Sequence, residues 1–475
     1  MSTNRQVIIL GAGITGLSAG WKLAEGGCRV KLIESFPYLG GMASTFRHKD
    51  YCLDYGPHKV FTVLEPVMRE IQALFRENPL LEIRKKSRIR LRGKYLNYPL
   101  AIFDVFSGLG LPTGMRCGFS YAFAGLTGRL HKPPEEESYE DWVVSRYGRT
   151  IYNLVLGPYA AKIWGDPRQL SKELAESRIA SPSLLEMVRQ MLLGKRKRAP
   201  VISAEVFHYP RRGAVEISER MAERILARQG EIKLHAALQK IDVDASGQIK
   251  KIVYADGGCE VLSPSDALIN TLPISRLAEL LGPALEADGH AACSALKTRK
   301  LILLFVAMDQ DRIMEDNWLF FPEGKYRFNR VFEQKAFNSG MVPSGRTVLC
   351  LEITCADHDD LWRARDDEVF AAVGPQMKEA GILDGNVLET FTRRIETAYP
   401  VYDKDYRRHL NAVMSALDRI HNLYSVGRQG GFSYTGMADS MDIGFTTSDY
   451  ILRHDVKDVD WPDVRKRFYN YVVVD

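Results

Sequence analysis

Apolar and polar positions alternate in blocks along the first 34 residues of the chain. Residues 7–10 form an uninterrupted apolar run, which predicts a buried parallel strand. Three glycines follow, at Gly11, Gly13 and Gly16, and small and apolar residues then recur at helical spacing. A second apolar run ends at Glu34. The pattern therefore predicts a strand, a glycine-rich turn, a helix and a second strand, which is the first unit of a Rossmann-type fold.

Each glycine of this G-x-G-x-x-G pattern has its own physical role in a nucleotide site. Gly11 permits the tight turn, Gly13 lets the backbone approach a pyrophosphate, and Gly16 lets the helix pack closely on the strand. The helix N-terminus then faces the phosphates. Glu34 stands about 20 residues further on, where an acidic residue binds a ribose hydroxyl. The whole unit predicts a dinucleotide site.

Two glycines after the second strand favour FAD over a nicotinamide cofactor. Gly40 and Gly41 resemble the extended fingerprint of FAD proteins of the glutathione-reductase-like class. In that class a segment like Asp54, Gly56 and His58 lines the flavin ring, whereas the alternative is an ordinary turn with an exposed histidine. We predict FAD as the cofactor. We expect it to be bound non-covalently, because no cysteine lies in a recognisable flavin-attachment motif.

A later stretch resumes the alternation of strands and helices. Residues 209–282 predict a helix, a strand, a hairpin with a Gly-Gly turn, a further strand and a helix. This order resembles the second FAD-binding block of amine-oxidase-like flavoproteins. The resemblance implies that the strand near Leu238 lies beside the adenine half of the cofactor through its backbone.

The third block, residues 422–452, contains the remaining predicted cofactor contacts. Its strand ends at Gly427, Arg428 follows, and a helix is predicted from about Met441 after a polar loop. The N-terminus of this helix is expected to direct its amides at the flavin pyrimidine or the pyrophosphate, with Gly444 close to the cofactor. Gly427, Arg428 and Met437 are the predicted cofactor-binding residues of this block.

The predicted fold class is α/β with α+β insertions. A glutathione-reductase-like Rossmann FAD-binding domain is assembled from residues 1–97, 205–292 and 400–475. A mixed substrate domain is discontinuous as well, from residues 98–204 and 293–399. A second G-x-G-x-x-G is absent from the sequence, so no dedicated NAD(P)H domain is expected.

Charge and cysteine content narrow the class of substrate and the compartment. The net charge of +5 suits an anionic small molecule better than a nucleic acid. Seven scattered cysteines show neither zinc nor disulfide spacing, which indicates a reducing compartment and no metal. The N-terminus leads directly into the first strand, so we expect no signal peptide and a cytoplasmic protein. The oligomeric state is left open.

Two further stretches bear on membrane contact. Residues 101–126 are largely apolar, but Asp104, Pro112 and Arg116 interrupt them too early for a transmembrane span. Buried helices are expected there, with peripheral membrane contact as the alternative. The basic run at residues 194–200 predicts a solvated loop, with phosphate or acidic membrane contact as its alternative.

Three distant segments carry a resemblance to a known family. They are residues 157–179, 326–333 and 398–403, and within the FAD frame they resemble the UDP-galactopyranose mutases and their protoporphyrinogen-oxidase-like relatives in the amine-oxidase superfamily. In the mutases a Tyr-x-x-Lys-x-Trp-Gly segment lies in the sugar-nucleotide pocket. The resemblance assigns Tyr159 and Trp164 to that pocket, with Lys162 between them.

The same resemblance implies a clamp for a diphosphate. Arg178 matches an arginine at a mobile loop, and Arg330, followed by Glu333, matches a second diphosphate-binding arginine. Tyr399 matches a tyrosine that forms a hydrogen bond with phosphate, and Arg428 would lie beside the flavin and the substrate. Two arginines from different segments can hold a diphosphate in bidentate fashion. Each residue taken alone also fits a structural role, so their shared order carries the argument.

The sequence departs from the mutase pattern at several positions. Tyr402 stands where asparagine is usual, and Gly436 stands where an acidic residue is usual. Residues 207–213 are more similar to the desaturases and porphyrinogen oxidases. Lys300 falls near the place where amine oxidases keep a lysine that holds a water over flavin N5, although an exposed lysine at a strand end is the alternative.

Two functions therefore stay open at the level of sequence. The first is isomerisation of a nucleotide-diphosphate sugar between pyranose and furanose forms through N5 of reduced FAD. The second is an FAD-dependent oxidoreductase that removes hydride from an amine, a porphyrinogen, a polyene or a sugar derivative. Both make the protein an enzyme, and the residues predicted to act on substrate are Tyr159, Trp164, Arg178, Arg330, Tyr399 and His58. A non-catalytic FAD-binding protein has no positive support.

Overall fold

A five-stranded parallel sheet carries the N-terminal glycine turn. The computed structural model describes residues 5–98, 108–127, 137–179, 205–453 and 459–472. The sheet contains β1 (Gln6–Leu10), β2 (Arg29–Ile33), β9 (Glu231–Lys233), β13 (Ala267–Asn270) and β19 (Leu423–Ser425). Its order is β19-β13-β1-β2-β9, with every neighbouring pair parallel. Three segments that are distant in sequence thus meet in one sheet, as predicted.

Helices cover the sheet and connect its strands. The α-helices of the described residues are α1 (Ile14–Glu25), α2 (Glu65–Leu74), α3 (Leu111–Thr127), α4 (Tyr139–Ile151), α5 (Gly157–Ile163), α6 (Lys172–Arg178), α7 (Val215–Leu226), α8 (Ile274–Leu281), α9 (Ala287–Ala295), α10 (Asp366–Ala380), α11 (Tyr406–Leu417), α12 (Gly427–Gly430), α13 (Met437–Leu452) and α14 (Trp461–Lys466). A π-helical turn, Tyr152–Leu156, joins α4 to α5. Helix α1 connects β1 to β2 and packs against α7 and α13.

A seven-stranded mixed sheet is the second large sheet of the protein. It contains β6 (Ser87–Leu91), β7 (Lys94–Asn97), β14 (Thr298–Met308), β15 (Trp318–Phe320), β16 (Arg330–Glu333), β17 (Thr347–Cys355) and β18 (Val387–Pro400). Its order is β18-β14-β17-β16-β15-β6-β7. Only the β15 and β6 pair is parallel among these neighbours.

Small antiparallel units complete the strands. β10 (Leu238–Val243), β11 (Ile249–Tyr254) and β12 (Cys259–Val261) form a meander that includes the predicted hairpin. β3 (Thr45–His48) pairs with β4 (Tyr51–Asp54), and β5 (Leu81–Arg84) pairs with β8 (Val206–Tyr209). The mixed α/β architecture agrees with the predicted fold class.

The long strand β14 is buried on both faces and separates two hydrophobic cores. Leu301, Leu303 and Phe305 belong to a core shared with the β3–β4 hairpin and β8. Ile302 and Leu304 belong to a second core, under α10. Because side chains alternate along a strand, each position of β14 is assigned to one face by its parity. The first of these faces is the one that borders the candidate site.

The predicted division into two domains does not strictly follow the two large sheets. The strands β6 and β7 lie within residues 1–97, which the division assigns to the FAD-binding domain, and they pair into the seven-stranded sheet. The division itself stays a prediction.

The helix α3 differs from the buried helix that was expected between residues 101 and 126. Five large apolar side chains of α3 are exposed, and its smaller side chains face the protein. Residues 101–107 and the basic run at 194–200 lie outside the described residues. Within the described ranges, none of the helices is long and apolar enough to cross a membrane.

Candidate active site

The turn between β1 and α1 has the geometry that the glycine pattern predicts. Gly11 has a φ of 98°, in the left-handed region that favours glycine. A Cβ on Gly16 would lie 2.1 Å from the carbonyl oxygen of Gly11, so only glycine permits this approach of helix and strand. A Cβ on Gly13 would meet no atom within 4 Å. The space in front of the α1 N-terminus is therefore free for a ligand.

The second glycine pair packs against the first turn. The amide of Gly40 donates a hydrogen bond of 2.8 Å to the carbonyl of Ala12, and Gly40 forms a bridge with Gly13. A Cβ on Gly41 would lie 3.5 Å from the Cα of Gly13. Both Gly40 and Gly41 have positive φ values, 93° and 56°. The two turns together form a backbone-lined cradle at the N-terminus of α1.

Glu34 lies at the carboxyl end of β2 beside this cradle. Its side chain is buried and accepts hydrogen bonds of 2.9 Å from the amides of Ala12 and Phe36. The amide of Ala236 donates to the carbonyl of Glu34, which brings the segment before Leu238 next to it. The carbonyl of Leu238 accepts a 2.8 Å hydrogen bond from Arg276. Glu34 and Leu238 thus lie along one edge of the cradle, and their assignment to the adenosine half of FAD stays a prediction.

The third block starts its helix one turn earlier than predicted. Helix α13 begins at Met437 instead of near Met441, because Asp439 accepts a 2.8 Å hydrogen bond from the amide of Gly436 and caps the helix there. Gly427 has a φ of 83°, and a Cβ on it would lie 2.7 Å from the Thr15 hydroxyl of α1. Gly427 and the N-terminal turn are therefore in direct contact.

The expected role of Gly444 is wrong. A Cβ on Gly444 would lie 2.0 Å from the Ser18 hydroxyl and 2.7 Å from the Thr15 carbonyl oxygen. Both atoms belong to α1, so Gly444 permits close packing of α13 on α1. The close approach at Gly444 therefore supports α1, which carries the cradle at its N-terminus.

Asp54 and His58 have different surroundings although they share a predicted motif. The buried Asp54 carboxylate accepts hydrogen bonds from Thr45 and Tyr209, and burial raises its pKa to about 6. His58 shares a 2.8 Å hydrogen bond between its Nε2 and the carbonyl oxygen of Met42, in the second glycine turn. Burial, together with the nearby charges of two arginines, lowers the pKa of His58 to about 4. His58 is therefore neutral at pH 7.

The arginines that act on His58 are Arg330 and Arg428. The guanidinium of Arg428 donates to the carbonyl oxygens of Thr435 at 2.7 Å and Ala398 at 3.0 Å. Its Nε is buried without a hydrogen-bond partner among the described residues. The two arginines and His58 therefore connect the cofactor cradle to the seven-stranded sheet.

Tyr434 is the centre of a group of aromatic and cationic side chains. The guanidinium carbon of Arg178 lies 4.8 Å from the centre of the Tyr434 ring, and that of Arg428 lies 4.7 Å from it. Tyr399 stacks on the same ring with centroids 5.8 Å apart and an interplanar angle of 5°. Trp164 meets its edge at 6.0 Å. We call these five residues the Tyr434 cluster.

A buried ion pair adjoins the Tyr434 cluster. Arg330 donates from Nε and Nη2 to one carboxylate oxygen of Glu352, at 3.0 and 2.7 Å. The two residues face each other directly across β16 and β17. The Tyr399 hydroxyl lies 3.4 Å from the other oxygen of Glu352. Burial opposes the charge of Arg330, but Glu352 outweighs it and raises the pKa of Arg330.

Glu333 is not the partner of Arg330. Its position in β16 has the opposite parity, so its side chain points to the other face of the sheet. There the buried carboxylate accepts hydrogen bonds from the amides of Ile313 and Met314 and from Thr347, at 3.0, 2.8 and 2.6 Å. Glu333 therefore holds a turn in place.

The Tyr-x-x-Lys-x-Trp segment covers α5 and the residue after it, and its three side chains have different roles. Tyr159 contacts the edge of Phe320, the cross-strand neighbour of Arg330, at 5.9 Å. Trp164 is buried, and its Nε1 has no hydrogen-bond partner among the described residues. Lys162 instead donates to the carbonyl oxygens of Phe321, Glu323 and Phe328, at 2.5, 2.8 and 3.3 Å, and so anchors a loop.

The catalytic role considered for Lys300 is wrong. Lys300 lies opposite Cys355 on the face of β14 that is covered by α10, away from the Tyr434 cluster. Its ammonium group lies 3.6 Å from Asp357 and 3.9 Å from Glu396, two exposed carboxylates, and 5.0 Å from the ring centre of Trp362. Lys300 shares a face of β14 with Ile302 and Leu304, so its side chain does not point to the side of the strand that borders the site.

Sequence reasoning missed two residues that the structure places in this region. Tyr434 lies in the segment that was predicted only as a polar loop. Glu352 is the one charged residue in the otherwise uncharged strand β17, where a buried carboxylate requires a partner. That isolated charge was the available signal for Glu352. Among the described residues, no group of three or more His, Cys, Asp and Glu side chains could hold a metal ion.

Comparison with known proteins agrees with this geometry. The profile of the flavin containing amine oxidoreductases matches residues 141–401, and that of the NAD(P)-binding Rossmann-like domains matches residues 9–77. The first match covers more than half of the 475 residues. The chain belongs to the flavin containing amine oxidoreductase family.

Individual relatives are more distant. A crystal structure of reduced UDP-galactopyranose mutase is 20 % identical, with a TM-score of 0.81 over 99 % of this chain and 98 % of that one. A protoporphyrinogen-oxidase-like protein from Exiguobacterium sp. 255-15 is 18 % identical, with a TM-score of 0.74 over 96 % of this chain and 100 % of that one. At these identities the likeness establishes the fold.

A curated relative matches only a short segment. The L-amino acid oxidase Cdc18 of Crotalus durissus cumanensis is 32 % identical over 112 residues, which are 21 % of this chain. The matched segment spans 22 % of the length of that oxidase. The segment is too short to transfer the activity of the oxidase to this chain.

The predictions of the fold class, of an FAD-dependent enzyme and of non-covalent FAD are confirmed. The chain also fits the cofactor by its own geometry, because the free space beside Gly13 lies in front of the α1 N-terminus and is bordered by the second glycine turn. The individual residue assignments stay predictions. The residues predicted to hold FAD are Gly11, Gly13, Gly16, Glu34, Gly40, Gly41, Leu238, Gly427, Arg428 and Met437.

Proposed function

We propose that the protein isomerises a nucleotide-diphosphate sugar between pyranose and furanose forms, in the manner of UDP-galactopyranose mutase. The observation that carries the proposal is the pair of arginines, Arg178 and Arg428, that contact the single ring of Tyr434 at 4.8 and 4.7 Å. Two cations beside one ring favour an anionic ligand, and a diphosphate supplies two close negative charges.

The net charge of the region supports an anionic ligand. Arg330 and Arg428 both carry a positive charge. Glu352 compensates for that of Arg330 through their pairing, whereas Arg428 donates to the carbonyl oxygens of Thr435 and Ala398. His58 adds no charge at pH 7, because its pKa is lowered to about 4. A positive excess among partly buried side chains attracts and orients a diphosphate.

Two buried donors support the same class of ligand. The Nε of Arg428 and the Nε1 of Trp164 have no hydrogen-bond partner among the described residues. Buried donors of this kind are costly unless they are paired. A ligand rich in phosphate and sugar oxygens can accept from them.

In this proposal each side chain has a defined task. Arg178, Arg330 and Arg428 bind the diphosphate and stabilise its charge as it leaves the sugar. The hydroxyls of Tyr159 and Tyr399 donate hydrogen bonds to phosphate oxygens, and Trp164 closes the pocket. When bound in reduced form, FAD supplies the nucleophilic N5 for the anomeric carbon of the sugar. The protein positions the two reacting atoms and excludes water.

A second function has its own support. The parallel stacking of Tyr399 and Tyr434 forms an aromatic wall, and the family profile is that of amine oxidoreductases. Such a wall also suits an FAD-dependent oxidoreductase that removes hydride from an amine or an apolar substrate. The three arginines argue against a cationic amine, because like charges would be brought together.

The two functions are separated by one experiment. The dithionite-reduced holoenzyme is incubated with UDP-galactopyranose and UDP-galactofuranose, and their exchange is followed by chromatography. We expect exchange by the wild type and a loss of roughly 100-fold in kcat/KM for Arg178→Met, since an arginine–phosphate contact contributes about 1.5 to 3 kcal/mol. Arg168→Met, a matched change at an exposed arginine paired with Asp166, should retain activity.

The opposite outcome is equally defined. If UDP-galactose does not exchange, and an amine, a porphyrinogen or another hydride donor bleaches the oxidised flavin under turnover, the oxidoreductase is correct. Unchanged kinetics of Arg178→Met with an active mutase would remove the diphosphate clamp from the mechanism.

A further inference from the structure

The helix α3 has its apolar face outside. Leu111, Phe119, Phe123 and Leu126 are between 65 and 69 % exposed, and Met115 is 46 % exposed. Their spacing of three or four residues places them on one face of the helix. Several other large apolar side chains elsewhere are exposed singly, which is ordinary for a protein surface. Five on one helical face are not.

The inward face of α3 is made of small side chains. Gly114, Cys117 and Ala124 are buried, and the half-buried Ser120 lies at the junction with α4. The amide of Thr150 donates to the Ser120 hydroxyl at 3.1 Å, and a Cβ on Gly148 would lie 2.4 Å from the Ser120 carbonyl oxygen. The close contact of α3 and α4 thus fixes which face of α3 points outward.

Among the described residues, cationic side chains lie on α3 and in the β6–β7 hairpin that contacts it. Arg116 is exposed on α3, and the segment 108–127 contains neither Asp nor Glu. Arg92, in the turn between β6 and β7, donates a 3.0 Å hydrogen bond to the Thr113 hydroxyl of α3. Lys94 is exposed two residues later in the same hairpin. An apolar helical face with a cationic border and aromatic side chains is the composition of an interfacial membrane helix.

The area of the exposed face of α3 favours a membrane over a second copy of the chain as its binding partner. A 17-residue helix is about 25 Å long and about 10 Å wide, so its outward face covers on the order of 250 Å². A stable protein interface buries about 800 Å² on each partner. A lipid surface needs no matching partner area, and it accepts a single convex helix.

We infer that α3 docks on the surface of an anionic lipid bilayer. The helix lies in the plane of the headgroups, with Phe119 and Phe123 inserted among the acyl chains. Arg92, Lys94 and Arg116 contact lipid phosphates at the border. The inference is independent of the proposed function, because it concerns where the enzyme works and not what it converts.

Vesicle flotation of the FAD-loaded full chain tests this inference. Vesicles contain either phosphatidylcholine alone or an equal mixture of phosphatidylcholine and phosphatidylglycerol. We expect the wild type to float with the mixture, and the double variant Phe119→Ser and Phe123→Ser to lose about tenfold or more in the floated fraction. Arg92→Glu with Arg116→Glu should abolish the preference for the mixture.

A matched control separates docking from general surface hydrophobicity. Val63 and Val261 are 51 and 68 % exposed and lie outside α3, so Val63→Ser with Val261→Ser should float as the wild type does. Bound FAD, read from its absorbance, checks that each variant is folded. A wild type that stays at the bottom of the gradient overturns the inference, and so does unchanged flotation of the phenylalanine variant. A dimer in light scattering that the phenylalanine variant converts to monomer, without vesicle binding, would assign α3 to a second copy.

Discussion

At the turn between β1 and α1, contacts run from backbone to backbone: a Cβ on Gly16 would lie 2.1 Å from the Gly11 carbonyl oxygen. In the Tyr434 cluster, contacts run from side chain to side chain, over centroid distances of 4.7 to 6.0 Å. The turn arises within a few consecutive residues, whereas the cluster combines α5, α6, β18 and the segment after β19. At Gly16 this local backbone constraint leaves no room for a side chain, whereas the long-range cluster is sensitive to the loss of any member.

The most damaging change is expected at the first region. Gly16→Ala places a methyl group inside the contact distance of a backbone carbonyl that cannot move without displacing β1. We expect the free energy of unfolding to fall by more than about 3 kcal/mol, as for overpacking in a core. Urea denaturation of the apoprotein measures it.

Gly13→Ala is the matched control for that change. Its Cβ would meet no protein atom within 4 Å, so the apoprotein should lose at most about 1 kcal/mol. FAD binding should weaken, because the methyl group projects into the cradle. If both variants unfold alike, the cradle is not the free space described above.

The ion pair beside the Tyr434 cluster should give the next largest effect. Glu352→Ala leaves the mostly buried Arg330 without its carboxylate, and removal of one partner of a buried pair costs about 3 kcal/mol. Arg330→Met with Glu352→Leu removes both charges and should recover most of the loss. Thermal unfolding of the wild type and the two variants measures the difference, and equal loss in the single and double variants would contradict the pairing.

The glycine turn is built from consecutive residues and the Tyr434 cluster from distant ones, and this difference explains how much of each the sequence predicted. Gly11, Gly16 and Glu34 are set by spacing within one βαβ unit, so their geometry could be predicted from local pattern alone. The partner of Arg330 could not, because strand pairing determines that Glu352 and not Glu333 faces it. The start of α13 also differs from the prediction. It is set by the hydrogen bond between Asp439 and the amide of Gly436, which the spacing of apolar residues does not reveal.

The outward face of α3 shows a different limit. Apolar content predicted burial, but burial depends on which residues of a helix find a partner. The close contact at Gly148 and Ser120 selects the small-residue face of α3 for the interior. A pattern of small residues at helical spacing was the available signal, and it competed with the more evident phenylalanines.

His58 lies between the glycine turn and the arginines beside the Tyr434 cluster, and its pKa predicts how the stability of the protein depends on pH. Its Nε2 contacts the glycine turn at Met42, while burial and the charges of Arg330 and Arg428 lower its pKa to about 4, against about 6.5 in the unfolded chain. Between these pH values the unfolded chain binds more protons. The contribution of His58 to the free energy of unfolding therefore falls as the pH decreases from about 6.5 to about 4, whereas Asp54, whose pKa is raised to about 6, contributes in the opposite direction.

The size of this effect should be about 2 kcal/mol, since partial exposure of the ring reduces the full linkage value. His58→Gln keeps a donor for the Met42 carbonyl and lacks the titration, so its unfolding free energy should change less over this range. Denaturant unfolding at several pH values compares the two proteins. Parallel pH profiles would show that another group is responsible.

The smallest expected effect tests whether the members of the Tyr434 cluster act together. Arg178→Met and Tyr434→Leu each remove the cation–ring contact of 4.8 Å, so their combined effect on stability should be smaller than the sum by about 1 kcal/mol. The control cycle pairs Arg178→Met with Gly13→Ala, which changes the backbone-built region, and there the effects should add. Urea unfolding of the four proteins in each cycle provides the measurement. Additive effects in both cycles would mean that the Tyr434 ring and Arg178 are neighbours without energetic coupling. A coupling confined to the first cycle would mean that the side-chain region is one cooperative unit, whereas the glycine turn is specified by its own backbone.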